Sequence, residues 1–134
     1  MRVLLLDDDG FMLELLADMI GGLGPHEVIR ETDGRRALIE LRLRPPDLVI
    51  CDLAMPVMDG IDFLRLAAAQ QYLGCVVLLS GVDAAVLRTA ARLAEAQGLA
   101  ILDACAKPLD LETLTALMAR AAARCPGRNG DSGK

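Results

Sequence analysis

Tryptophan is absent from this sequence of 134 residues, which has one tyrosine and two phenylalanines. It therefore lacks the aromatic platforms on which single-stranded nucleic acids stack. Basic charge is also short. Fourteen Lys and Arg stand against nineteen Asp and Glu, for a formal charge of −5 and a pI near 4.8. Such a chain repels polyanions overall, which argues against nucleic acid and anionic lipid as partners of this segment. No apolar run approaches the ~18 residues of a membrane span. The apolar run before Asp7, Val3 to Leu6, is only four residues long, too short for a signal-peptide core, so a cytoplasmic location is expected. Cys51, Cys75, Cys105 and Cys125 show no C-x-x-C spacing. The first three lie in apolar runs, where a thiol acts as a small hydrophobe. The single histidine, His26, follows Pro25 and is expected in a solvated loop.

What the sequence does have is a strongly apolar interior. Hydrophobic residues make up 54% and charged residues 25%, and a chain of this length buries roughly two-thirds of its unfolded surface without a metal or disulfide staple. Short apolar runs predict strands over residues 3–6, 27–30, 48–51, 75–79 and 100–102, the last extending toward 106. Four of the five are nearly continuous in apolar residues, as parallel strands covered on both faces require. Helical periodicity predicts helices over 11–20, 35–43, 61–70, 84–97 and 111–123.

In the first helix the expected inward stripe is Met12, Leu15, Leu16 and Met19; in the fourth it is Val86, Leu87, Ala90, Leu93 and Ala94. Five strand-then-helix units with right-handed crossovers give an α/β fold, a doubly wound five-stranded parallel sheet with helices on both faces. Residues 124–134, rich in Gly and polar side chains, read as a disordered tail or the start of a linker.

Ligands of an open α/β sheet bind beyond the carboxyl ends of the strands, at the switch in strand order. The first strand ends in Asp7, Asp8 and Asp9, the third in Asp52, the fourth in Ser80 and Gly81, and the fifth in Lys107 and Pro108. In the flavodoxin-like order 2-1-3-4-5 the first and third strands are neighbours, so Asp7, Asp8 and Asp52 crowd together. Carboxylates that close force one of them to keep its proton unless a cation intervenes. An all-oxygen donor set selects Mg²⁺ over zinc or copper. One carboxylate can then attack phosphorus to give an aspartyl-phosphate, with Lys107 pairing the phosphoryl oxygens, Ser80 donating a hydrogen bond and Gly81 leaving room for backbone approach.

These residues, with Asp33-Gly34 through Ala37-Leu38, the run Pro46-Asp47-Leu48-Val49-Ile50-Cys51-Asp52-Leu53-Ala54-Met55-Pro56-Val57-Met58-Asp59-Gly60, and Lys107-Pro108, resemble the receiver domain of two-component response regulators over residues 1–123. The resemblance implies a phosphorylatable switch acting on an output domain or partner through the fourth helix, fifth strand and fifth helix. A sensor histidine kinase or histidine phosphotransfer protein would be the donor, and homodimers are compatible with it. It makes Asp52 the phosphoacceptor, Asp8 the magnesium ligand and Asp7 its partner acting through metal-bound water. Ala54 would lend a backbone carbonyl to the metal, Ser80 would be the hydroxyl switch, and Lys107 the phosphoryl-pairing lysine with a cis bond to Pro108. One position departs. Where such receivers carry Tyr or Phe three residues before the lysine, this chain has Ala104, so the aromatic half of the relay is missing. The stretch from Ser80 to Lys107 is longer than usual and looks like that of receivers fused to EAL-type cyclic-di-GMP phosphodiesterases.

Two other functions fit parts of the pattern. Leu6-Asp7-Asp8-Asp9-Gly10 is similar to the opening of haloacid-dehalogenase-like phosphatases, with Asp7 as nucleophile and Asp9 as acid/base, but that reading leaves Asp52 unused. A receiver-like interaction module with little phospho-switching is motivated by Ala104. Asp9 is expected simply to cap the first helix, Met55 and Met58 to pack, and Asp59-Gly60 to form a turn in which Asp59 caps the third helix. The alanine-rich fourth helix fits either core packing or a partner surface.

Overall fold

The computed structural model describes residues 1–55, 60–81 and 83–124. Its strands are β1 (Arg2–Leu6), β2 (Glu27–Glu31), β3 (Leu48–Asp52), β4 (Cys75–Ser80) and β5 (Ala100–Ala106). The helices are α1 (Gly10–Gly21), α2 (Gly34–Leu43), α3 (Gly60–Ala69), α4 (Ala84–Ala96) and α5 (Leu111–Arg124). All strand pairs are parallel, in the order β2-β1-β3-β4-β5. Every expected element is present within a few residues, and β5 takes the longer of its two expected extents. The expectations for Met58 and Asp59, and for the tail beyond Arg124, fall outside the described residues.

Local chemistry explains where the helices begin. The Asp9 carboxylate accepts from the Phe11 and Met12 N–H groups. Asp33 does the same for Arg35, Asp83 for Ala85 and Asp110 for Thr113. Each Asp thereby satisfies a donor that the first helical turn leaves without an intrahelical partner. Helix α2 closes with the Arg44 N–H on the Glu40 carbonyl, and Pro45 and Pro46 prevent its continuation. None of the described helices is long and apolar enough to cross a membrane.

Alternation along the strands divides the core into two layers. Val3, Leu5, Ile50, Val77 and Leu79 pack under α1 and α5. Leu4, Leu6, Val49, Val76 and Leu78 face α2, α3 and α4. Each such leucine, essentially inaccessible to water, contributes about 1.5–3 kcal/mol relative to exposure.

Two inward stripes differ from expectation. In α1 the buried residues are Leu13, Leu16 and Ile20, while Leu15 is 40% exposed and Met12 and Met19 are half-buried. That helix has more apolar positions than one face can hold, so periodicity alone does not fix its rotation. In α4 the core takes Leu87, Ala90 and Ala94, while Val86 and Leu93 stay about half exposed. Alanines at 90 and 94 face the core, and the bulkier neighbours are turned onto the flanks.

Strand β5 has one irregularity. Val76 pairs Ile101 but Val77 pairs Asp103, so Leu102 is an inserted residue. Arg120 of α5 holds it, donating to the Leu102 carbonyl at 2.7 Å and to the Asp103 carboxylate at 3.0 Å.

Candidate functional site

The carboxyl ends of β1, β3 and β5 converge on one cluster. Asp7 and Asp52 are buried, Asp8 is exposed, and each offers a carboxylate oxygen within 4.8 Å of the others. Lys107 reaches in from the end of β5, its Nζ 2.8 Å from Asp7 Oδ2 and 3.3 Å from Asp52 Oδ2. The Asp9 N–H donates to Asp7 Oδ1 at 2.9 Å, and the Ala54 N–H to Asp52 Oδ1 at 3.2 Å. Backbone bonds fix the frame: Asp7 N–H to the Glu31 carbonyl, Leu53 N–H to the Leu79 carbonyl, and Lys107 N–H to the Ser80 carbonyl at 3.0 Å. The Lys107-Pro108 bond is cis, as expected.

Placement of the remaining expected residues varies. Ser80 is fully buried at the end of β4 and tied to Lys107 through its backbone. Gly81 is exposed, and a Cβ there would meet nothing within 4 Å, so that approach is open. Ala54 engages Asp52 by its N–H, a contact the sequence reading did not foresee. Ala104 lies half-buried in β5 beside Leu78. Asp9 is outside the carboxylate cluster, with its own carboxylate capping α1. His26 is half-buried rather than fully solvated, 3.2 Å from the Met1 amine at the opposite end of the sheet; burial, then that amine, lower its pKa. Cys51 and Cys75 are buried, the Cys51 thiol donating to the Asp52 carbonyl at 3.4 Å, and Cys105 is half-buried, whereas Cys125 lies outside the described residues.

Gly60, expected only as a turn residue, opens α3 and has a constraint that sequence reasoning missed. Its N–H donates to the Leu53 carbonyl, and an added Cβ would fall 2.5 Å from Leu53 Cα and 2.6 Å from the Asp52 carbonyl oxygen. The first turn of α3 therefore presses on the backbone that carries Asp52. The only sequence signal was a glycine at the start of an apolar period.

Charge balance at the cluster is incomplete. Burial raises the Asp52 pKa and the negative charge of Asp7 adds to the rise, while the Ala54 N–H and Lys107 oppose it without cancelling it. The native state thus keeps the Asp52 proton to higher pH than the unfolded chain does. Stability falls as pH climbs from the ordinary carboxylate range through the raised value, and stays lower above it. In chelator, Asp52→Asn is expected to raise Tm by a few degrees at pH 7 and to lose that gain toward pH 4. Thermal melts across that range check this; a gain that does not depend on pH would contradict it.

An all-oxygen set of three carboxylates against one amine suits a hard divalent cation such as Mg²⁺, whose remaining positions are filled by water or phosphoryl oxygen. The exposed face of Asp8 leaves that side open to solvent.

Residues 3–119 match the response regulator receiver domain family. The chain is 34% identical over 125 residues to the cyclic di-GMP phosphodiesterase RocR of Pseudomonas aeruginosa, covering 92% of this chain and 32% of that protein. It is 38% identical over 105 residues to a protein-glutamate methylesterase/protein-glutamine glutaminase of Mesorhizobium japonicum, covering 78% of this chain and 30% of that protein. The chain thus spans about a third of the length of these curated relatives. Among solved structures, a response regulator from Colwellia psychrerythraea superposes with a TM-score of 0.79 at 33% identity, covering 91% of this chain and 97% of that one. The Vibrio cholerae chemotaxis protein CheY4 gives 0.76 at 26%, covering 90% and 97%.

Proposed function

The chain belongs to the response regulator receiver domain family, and from that premise we propose that it is a phosphorylatable signalling switch whose acceptor is Asp52. The observation that carries this reading is the convergence of Asp7, Asp8 and Asp52 within 4.8 Å of one another, with the Lys107 amine on Asp7 and Asp52. The donor is a phosphohistidine on a sensor histidine kinase or phosphotransfer protein. An Asp52 carboxylate oxygen forms the new O–P bond as the donor's P–N bond breaks, and the imidazole leaves with the electron pair. Lys107 pairs the phosphoryl oxygens and the Ser80 hydroxyl donates to them, so most of the catalysis is positioning and charge neutralisation.

The carboxylates of Asp7, Asp8 and Asp52, with the Ala54 carbonyl, are the groups that would hold Mg²⁺. When bound, the ion neutralises charge on the carboxylates and the phosphoryl group. Asp7, Asp52 and Ser80 are each at most 3% exposed, which keeps most of the acceptor's surroundings dry.

The receiver spans residues 1–123 and engages an output domain or partner through α4, β5 and α5. The chain acts in the cytoplasm with its kinase, without nucleic acid or membrane. Its only chemistry is its own phosphorylation and dephosphorylation. Incubation with acetyl phosphate and Mg²⁺, read by intact mass, is expected to add one phosphoryl group to the wild type and none to Asp52→Asn. Uptake undiminished in the variant would reject Asp52 as acceptor.

Ala104 favours a second reading, a receiver-like interaction module that keeps the pocket but transmits little. Amide exchange with and without beryllofluoride separates the two. Protection spreading to α4 and β5 supports the switch, and protection confined to the pocket supports the module. The phosphatase reading fares worse, because it needs the Asp9 carboxylate that caps α1.

A further inference from the structure

Two helices on opposite sides of the sheet present outward faces that complement each other. On α1, Phe11 is 74% and Leu15 40% exposed, one turn apart on the same face. Exposed Glu14 and Asp18 flank them, and α1 has no basic residue. On α2, Ile39 is 46% and Leu43 69% exposed, again at i and i+4, and Arg35, Arg36 and Arg42 surround them. The one acid of α2, Glu40, is turned to Arg2 at 3.0 Å. Glu14 contacts Arg30 at 3.0 Å and Arg35 contacts Asp33 at 3.7 Å, both pairs exposed to solvent. Asp18, Arg36 and Arg42 have no ion pair among the described residues.

One face is therefore acidic around two apolar anchors, and the other basic around two. Within one molecule they cannot meet, since α1 packs on one side of the sheet and α2 on the other.

We propose that the outward face of α1 docks on the outward face of α2 of a second copy of this chain. The contact is heterologous: α1 of one copy meets α2 of the next, so every assembly keeps one free face at each end. Association then grows head to tail instead of stopping at a two-fold pair. A single helix face on each side lies below the roughly 800 Å² per partner of a standard interface, which places the contact in the weak, transient class. Opposed charges set its register and make it sensitive to salt. The inference does not depend on phosphoryl transfer at Asp52.

Sedimentation velocity tests it, on the wild type from about 10 µM to about 1 mM. The expected result is a weight-average mass that climbs past two chains at about 0.1 M salt and falls back toward one chain at about 1 M. Phe11→Ser with Asp18→Asn disables the α1 face, and Leu43→Ser with Arg42→Gln the α2 face. All four side chains are exposed, so circular dichroism should match the wild type. Each double variant alone is expected to associate at least roughly tenfold more weakly. An equimolar mixture of the two restores one intact contact and should form a pair that grows no further. Wild type that stays monomeric, association that saturates at two chains, variants that assemble like wild type, or a mixture that does not pair would each overturn the proposal.

Discussion

Lys107→Met is expected to slow phosphoryl uptake at Asp52 by roughly 10²–10³-fold, the usual loss when one preorganised charged donor is removed. It should also destabilise the fold. The Lys107 amine lies 2.8 Å from Asp7 and 3.3 Å from Asp52, both buried. Removing it leaves two carboxylates without that cation. Breaking a fully buried pair costs about 3–5 kcal/mol; the Lys107 side chain is 21% exposed, so about 2 kcal/mol is the expected loss at pH 7.

The pH dependence follows from the direction of each shift. Burial works to lower the Lys107 pKa, but its hydrogen bond to Asp7 and the charges of Asp7 and Asp52 outweigh that and raise it. Its contribution is complete below the ordinary lysine pKa and lost only as pH rises through the raised one. The deficit of the variant should therefore persist through neutral pH. It should shrink in acid, where Asp52 takes up its proton and no longer needs a cation. Mg²⁺ should restore more stability to the variant than it adds to the wild type, because it replaces the missing charge. Urea melts at pH 4.5 and 7, with and without Mg²⁺, together with the rate of uptake from acetyl phosphate, check these statements. A variant that is phosphorylated at the wild-type rate would remove Lys107 from the chemistry.

Gly60→Val is the second large effect. A Cβ at this position would stand 2.5 Å from Leu53 Cα and 2.6 Å from the Asp52 carbonyl oxygen, contacts that only backbone movement relieves. Overpacking of this kind costs about 1–3 kcal/mol, and the upper end applies because the obstacle is main chain and not a flexible tip. What has to move is the strand end carrying the acceptor. A displacement of about 1 Å there is enough to lower phosphoryl uptake by ~10²-fold. Gly60→Ala carries the same first atom and should share most of the defect. The control is Gly10→Ala, at the start of α1, where an added Cβ meets nothing within 4 Å. It should be neutral or stabilising by up to about 1 kcal/mol. Chemical denaturation and uptake kinetics on the three variants decide the matter; a Gly60→Ala protein as stable and as active as the wild type would show that the contact is slack.

Much of the architecture was legible in the sequence because the signals were local and redundant. The apolar runs of β1, β3 and β4 leave no polar face to misplace. Asp9, Asp33, Asp83 and Asp110 each stand where a helix starts, and Pro45 and Pro46 mark an end. The grouping of Asp7, Asp8, Asp52 and Lys107 was legible too, since strand order alone carries residues 100 positions apart to one rim. Helix rotation was not. In α1 and α4 the apolar residues exceed what one face can bury, so periodicity alone does not choose among them. Periodicity points Val86 and Leu93 inward, yet they lie about half exposed at the surface. Gly60 reads in the sequence as a turn residue and no more, because its constraint comes from Leu53 and Asp52, which only the fold brings against it. Likewise nothing in the run from Ala100 to Ala106 announces that Leu102 is an inserted residue, because Arg120, which holds it, belongs to another helix.

That insertion bears on how the protein behaves at high concentration. β2 and β5 are the outermost strands, and an uncovered strand edge is a template on which another chain can add. On β5 the Leu102 carbonyl is already occupied by Arg120, and the local change of register interrupts the row of groups a foreign strand would need. On β2 the side chains of Glu27, Arg30 and Glu31 put alternating charge on the other margin. Both margins thereby carry features that disfavour the addition of a foreign strand.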